Sequence, residues 1–177
     1  MKARTLGGLT ALGVLFADQA SKLWLLYGLK MQDGEKIPVA PFLDLELLRN
    51  PGISFSLFPQ GTATGRWILL GLTLAATILL GEWLRRVHSK PAGLALGAII
   101  GGALGNGCDR FAYSSVVDFF DFHAFGHNFY VFNLADTAIT LGVALLLFDG
   151  LVLERRAQPQ GGAGGRGAAP GAIDLPE

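Results

Sequence analysis

Cysteine is nearly absent from this chain. Cys108 stands alone among 177 residues, which excludes an internal disulfide framework and a cysteine-rich metal site. Charge is scarce as well: Asp, Glu, Lys and Arg make up 16% of the residues, against about 25% in a soluble domain. Neither sign is in excess, because 14 basic residues balance 14 acidic ones. The basic footprint of a nucleic-acid-binding protein is therefore missing, and no nucleic acid is expected as a partner. There is no internal repeat and no H-E-x-x-H zinc pattern.

What remains is apolar. Hydrophobic residues form 51% of the chain, and they gather in four runs, at about 5–26, 67–84, 91–108 and 131–153. Each is close to the roughly 20 residues that cross a bilayer as a helix. The expected fold is an all-α membrane protein of four transmembrane helices, with a small extracytoplasmic β-hairpin or sheet between the first two. The membrane domain is expected over 1–156, and a disordered, glycine-rich cytoplasmic tail over 157–177. The first run follows Lys2 and Arg4 as a signal peptide would, but its apolar pattern continues through Leu23-Trp24-Leu25-Leu26 without a small-x-small cleavage site. It is expected to stay as a span.

Lysine and arginine placement sets the expected orientation. With the N-terminus inside, the inner segments hold Lys2, Arg4, Arg85, Arg86, Lys90, Arg155, Arg156 and Arg166. Both termini are expected in the cytoplasm.

The long outer loop, 28–65, has structure of its own. Leu43-Asp44-Leu45-Glu46-Leu47 and Ile53-Ser54-Phe55-Ser56-Leu57 both alternate with the period of a half-buried strand. Asn50-Pro51-Gly52 lies between them and suits a type II turn with Gly52 at positive φ.

Polar clusters crowd one stretch, from Gly105 to Asp136. They are Gly105-Asn106-Gly107-Cys108-Asp109-Arg110, Val116-Val117-Asp118-Phe119 and Phe132-Asn133-Leu134-Ala135-Asp136. Carboxylates at the mouths of apolar segments are costly and usually functional. Counting helical rise brings them to one level. Asp18 lies about 20 Å from the inner face, Asn106 about 22 Å from it, and Asp136 roughly 8 Å below the outer face. Three helices then deliver polar groups to the outer third of a core about 30 Å thick, and Asp118 follows in the adjoining connection.

Asp118 and Asp136 can form a carboxylate dyad that shares a proton, one member activating water while the other protonates a carbonyl oxygen. The plain reading makes Asp118 a loop residue and Asp136 a charge favoured by a helix N-terminus. Asp18 and Lys22, at i and i+4, can pair on one helix face, a structural ion pair rather than direct chemistry. Arg110 offers a fork of donors for a carboxylate or carbonyl, or serves as an interface anchor. Asn133, one turn before Asp136, can orient it. Asn50 and Gly52 have turn chemistry as a sufficient reason. Gly105 and Gly107 point to close helix packing or local unwinding, and Cys108 to packing. His123 and His127 make a poor metal site, with Gly126 between them.

Taken in order, Asp18-Gln19-Ala20-Ser21-Lys22, Asn50-Pro51-Gly52-Ile53-Ser54-Phe55, Gly105-Asn106-Gly107-Cys108-Asp109-Arg110, Val116-Val117-Asp118-Phe119 and Phe132-Asn133-Leu134-Ala135-Asp136 resemble the motifs of the signal peptidase II family over residues 5–155. The resemblance implies a bacterial inner-membrane aspartyl endopeptidase. Such an enzyme removes the signal peptide from a prolipoprotein, cutting on the N-terminal side of a diacylglyceryl-modified cysteine. It implies Asp118 and Asp136 as the catalytic pair, with Asn106, Arg110 and Asn133 lining the site and Asp18, Lys22, Asn50 and Gly52 around it. It further implies no metal or cofactor, membrane lipid and prolipoprotein as partners, and inhibition by globomycin. Gly107 and Cys108 depart from the bulkier residues common at those places. The alternative is a small transporter or proton-relay subunit using the intramembrane Asp and Lys. That should show repeats or spans interrupted at the midplane, and the sequence has neither.

Overall fold

The computed structural model describes residues 1–52, 63–124 and 127–153. Four long helices carry a four-stranded sheet at one end. Helix α1 spans Ala3–Leu23 and runs on through one π-helical turn, Trp24–Gly28. Strands β1 (Lys36–Ala40) and β2 (Leu43–Asn50) follow, then α2 (Ala63–Arg86) and α3 (Lys90–Tyr113). Strands β3 (Val116–Ala124) and β4 (His127–Phe132) lead into α4, Leu134–Phe148, which closes with a π-helical turn at Asp149–Leu153.

Three helices among the described residues are long and apolar enough to cross a membrane: Ala63–Arg86, Lys90–Tyr113 and Leu134–Leu151. Helix α1 is diluted by Asp18, Gln19 and Lys22. Its exposed face is nevertheless apolar, with Leu9, Leu12 and Phe16 outward, whereas Asp18 and Lys22 are buried. Helix α2 buries only Gly65 and Leu84. Apolar outside and polar inside is the arrangement expected where lipid is the solvent. The protein is a membrane protein.

Glycine sets the helix spacing. Gly93, Gly97, Gly101 and Gly105 recur every fourth residue of α3 and face α1. A Cβ at Gly93 would lie 2.6 Å from the Ala3 carbonyl oxygen, one at Gly101 would lie 2.5 Å from that of Ala11, and one at Gly105 would lie 2.5 Å from Asp18 Oδ2. A Cβ at Gly97 would run into the carbonyl of Gly7. Helices that cannot gain by excluding water from each other associate through such close contact. The parallel pair α1–α3 is thus locked in register, and Gly105 lets the Asp18 carboxylate lie against the α3 backbone. Helix α3 stays continuous through Gly105 and Gly107, so close packing, not unwinding, is the role of Gly105. Cys108 is exposed and not the packing residue the sequence suggested.

The sheet is antiparallel, in the order β1-β2-β3-β4. It corrects the expectation of a hairpin confined between the first two helices. The alternating segment at 43–47 is a strand, but it pairs with β1 and β3, whose Leu48↔Asp118 and Asn50↔Val116 partnerships carry it alongside the site. The second alternating segment, 53–57, lies outside the described residues. Gly52 lacks the positive φ of a type II turn, which among described glycines belongs to Gly34 at φ 80°. Instead the Gly52 amide donates to Asn50 Oδ1 at 3.2 Å, an Asx turn. Leu25, Met31, Leu47, Val117 and Phe119 form the core beneath the sheet.

Two junctions position the chemistry. Ser114, in the left-handed region at φ 63°, caps α3 and turns the chain into β3 within two residues, so Asp118 follows closely on the end of α3. Asn133 separates β4 from α4. Its side chain accepts from the Asp136 amide while Asp136 accepts from the Asn133 amide, a reciprocal capping box. The fourth apolar run is therefore strand up to Phe132 and helix only from Leu134.

Candidate active site

A buried cation lies at the base of the site. Lys22 Nζ is 2.7 Å from Asp18 Oδ2 and 2.7 Å from Asp109 Oδ2. Its third proton has Asn106 Oδ1 at 3.3 Å, so all three ammonium donors are placed. The carboxylates are satisfied in turn. Ala135 N donates to Asp18 Oδ1 at 2.9 Å, Val117 N to Asp109 Oδ2 at 3.1 Å, and Gln19 Nε2 to Asp109 Oδ1 at 2.9 Å. This cluster ties α1 to α3, to the start of β3 and to the first turn of α4.

Lys22 also fixes the orientation of an asparagine. Asn106 Oδ1 accepts from Lys22 and, at 3.0 Å, from Asn133 Nδ2. Its amino group must then face away, and it donates to Asp136 Oδ1 at 2.8 Å. The same logic fixes Asn133. Its Oδ1 accepts the Asp136 amide at 2.9 Å, so Nδ2 faces Asn106 and, at 2.7 Å, Asp118 Oδ1. Asn50 repeats the pattern from the sheet: Oδ1 takes the Gly52 amide, and Nδ2 donates to Asp118 Oδ2 at 3.1 Å. Three side-chain amides, none free to flip without losing a bond, aim donors at two carboxylates.

Those carboxylates are Asp118 and Asp136, joined through Asn133. Asp118 is 3% exposed, and Asp136 is half-buried. Burial pushes the Asp118 carboxyl up from its ordinary value to about 6. The nearby charge of Asp136 adds to this, while the donors Asn50 and Asn133 pull the other way. Arg110 turns to the backbone: its Nη1 lies 3.4 Å from the Asn106 carbonyl, and its buried Nε has no hydrogen-bond partner among the described residues.

The structure thus draws together Asp18, Lys22, Asn50, Gly52, Asn106, Asn133, Asp118 and Asp136, with Arg110 at the edge. The i,i+4 pairing of Asp18 and Lys22 and the orienting of Asp136 by Asn133 are found as the spacing suggested. Two participants were passed over. Asp109, fully buried against Lys22, follows Asn106 by three positions on one helix face, and that spacing was its signal. Gln19, next to Asp18, had no periodic signal. Asp121 and His123 lie apart, in a charged cluster on the sheet where Lys36 Nζ meets Asp121 at 2.6 Å and Glu46 at 2.9 Å, and His123 Nε2 is 3.3 Å from Asp44. These carboxylates hold the Lys36 ammonium above its usual range.

A family model described as "Signal peptidase (SPase) II" matches residues 10–152. The chain belongs to the signal peptidase II family. It is 52% identical over 169 residues to the lipoprotein signal peptidase of Methylocella silvestris, a match covering 96% of this chain and 99% of that relative. It is 50% identical over 159 residues to that of Beijerinckia indica subsp. indica, covering 90% and 95%. Among solved structures it resembles a bacterial membrane enzyme determined by the in meso method at 1.9 Å. The TM-score is 0.72 at 29% identity, over 82% of this chain and 92% of that one. As a member of the signal peptidase II family the chain is an aspartic protease, a class that works through a pair of carboxylates.

Proposed function

We infer that this chain removes signal peptides from prolipoproteins within the membrane, with Asp118 and Asp136 as the reacting pair. The observation that carries the assignment is Asn133, which donates to Asp118 and caps α4 on Asp136. In the proposed reaction one carboxylate takes a proton from water, whose oxygen attacks the scissile carbonyl carbon. The protonated partner donates to the carbonyl oxygen. Collapse of the tetrahedral intermediate breaks the C–N bond, the proton taken from water leaves with the new amine, and the proton lent to the carbonyl oxygen returns to the partner carboxylate. Asp118, the more buried of the two, with its carboxyl pushed up by that burial, is proposed to carry the shared proton. Asp136, in the first turn of α4, where helix dipoles favour negative charge, is proposed to activate the water.

The finer reading is that four spans place both termini in the cytoplasm and the pair toward the outer face of a bacterial inner membrane. The substrate carries diacylglyceryl-cysteine, and the cut falls on its N-terminal side. Asn106, Asn133, Asn50, Gly52, Arg110, Asp18 and Lys22 support or line the site, and globomycin-type peptides compete for it. The domain reading is a membrane peptidase unit over 1–156, and the tail expected over 157–177 lies outside the described residues.

The decisive assay is cleavage of a diacylglyceryl-modified prolipoprotein by purified protein. Asp118→Asn and Asp136→Asn should each abolish turnover while the protein still folds and inserts. Near-normal cleavage by either variant refutes the pair. Equal turnover of unmodified substrate refutes the lipid-anchored reading.

A further inference from the structure

The phenol of Tyr130 is the unassigned group nearest the chemistry. Phe132 pairs with Phe120 across β4 and β3, and paired residues share a face. Asp118, two residues before Phe120, shares that face, and Tyr130 lies where the β3–β4 register shifts, between the Asp121↔Val131 and His123↔Asn128 pairs. Contacts bring the two together: Asn50 Nδ2 lies 2.8 Å from Tyr130 Oη and 3.1 Å from Asp118 Oδ2. An amide nitrogen can only donate, so the Tyr130 oxygen is the acceptor in that bond and its own proton is left over. No acceptor for that proton is found among the described residues, and the residue is 60% exposed. A buried tyrosine normally spends its hydroxyl proton within the fold. Here the ring is fixed at its tip by Asn50, and its donor, beside a proposed catalytic carboxylate, has no partner among the described residues.

We propose that Tyr130 is a substrate contact, donating its hydroxyl proton to a backbone carbonyl of the bound peptide next to the scissile bond. The proposal rests on the reading of Asp118 as part of the reacting pair. Asn50 then serves both partners: one of its amino protons holds Asp118, the other holds the phenol that grips the peptide.

Two measurements on the full-length enzyme in lipid test it. In the first, Tyr130→Phe keeps the ring and removes the donor together with the oxygen that accepts from Asn50. It should lower kcat/KM for a diacylglyceryl-modified prolipoprotein about three- to tenfold, the worth of one neutral hydrogen bond, without moving the thermal midpoint. In the second, p-benzoylphenylalanine in place of Tyr130 should photocrosslink to the peptide portion of the substrate. Wild-type kcat/KM in Tyr130→Phe, or no crosslink to substrate, overturns the proposal. Should Asp118→Asn still cleave while the crosslink forms, the carboxylate pair is wrong and the Tyr130 contact stands. Loss of cleavage in Asp118→Asn with no crosslink keeps the carboxylate pair and overturns the Tyr130 contact.

Discussion

Asn133 donates to Asp118 across 2.7 Å. The same side chain caps the start of α4 by accepting from the Asp136 amide, so one side-chain amide ties the Asp118 carboxylate to the first turn of the helix that carries Asp136. Its orientation follows from a sequence of bonds that begins at a buried lysine. Lys22 holds the Asn106 oxygen, which leaves the Asn106 amino group for Asp136 and gives the Asn133 amino group a second acceptor.

Asn133→Ala removes a helix cap and a carboxylate donor together. The cap alone is worth about 1 kcal/mol. A hydrogen bond to a neutral carboxyl, the state proposed for Asp118, is worth about 0.5–1.5 kcal/mol, so kcat should fall roughly two- to tenfold. Steady-state cleavage measured beside thermal unfolding separates the two. Loss of stability with unchanged kcat would restrict Asn133 to capping.

Asp118→Asn should change stability in a pH-dependent way. A carboxyl held near 6 when folded binds its proton more tightly in the fold than in the unfolded chain. Its contribution is complete below the ordinary carboxyl value near 3.8 and is lost as pH rises through about 6. The variant is neutral throughout. Its stability relative to the parent should therefore rise between about pH 4 and pH 7, by at most about 3 kcal/mol. Unfolding curves at both pH values check this, and a constant difference would mean that Asp118 does not titrate in that window.

Much of this arrangement was legible in the sequence alone. Apolar runs gave the helices. The four-residue step gave the Asp18–Lys22 pair. Counting 1.5 Å per residue put Asp18, Asn106 and Asp136 at one level, and their bonds through Lys22 and Ala135 bear that out. Strands β3 and β4 were not legible for a local reason. Acidic residues recur at 118 and 121, three apart, and an irregularity between Asp121 and His123 breaks the two-residue period. That stretch passes for a loop. Asp109 was missed because its partner is on another helix, and no spacing within α3 names Lys22.

Lys22→Met leaves Asp18 and Asp109 facing each other without a cation. Breaking a buried pair in this way costs about 3–5 kcal/mol, and Asn106 loses the contact that orients it. Expression and thermal midpoint should both fall. Combining Lys22→Met with Asp18→Asn and Asp109→Asn should recover much of the stability. If the single variant is as stable as the parent, the cation is not buried as described.

Gly97→Val should separate α1 from α3, because a Cβ at Gly97 collides with the Gly7 carbonyl. Overpacking of this kind costs about 1–3 kcal/mol or more, and cleavage should fail with it. Gly8→Ala is the control: nothing lies within 4 Å of a Cβ there, and both stability and activity should hold. Equal behaviour of the two variants would remove the packing argument.

The glycine series on α3 has a mechanical meaning. A slip of α1 against α3 by even part of a helical turn would part Lys22 from Asp109 and Asn106 and disorient the asparagines beyond them. These two helices form a fixed jaw. Among the described residues, what yields to let a peptide reach the carboxylates lies outside that pair, as α2 does, of which only Gly65 and Leu84 are buried.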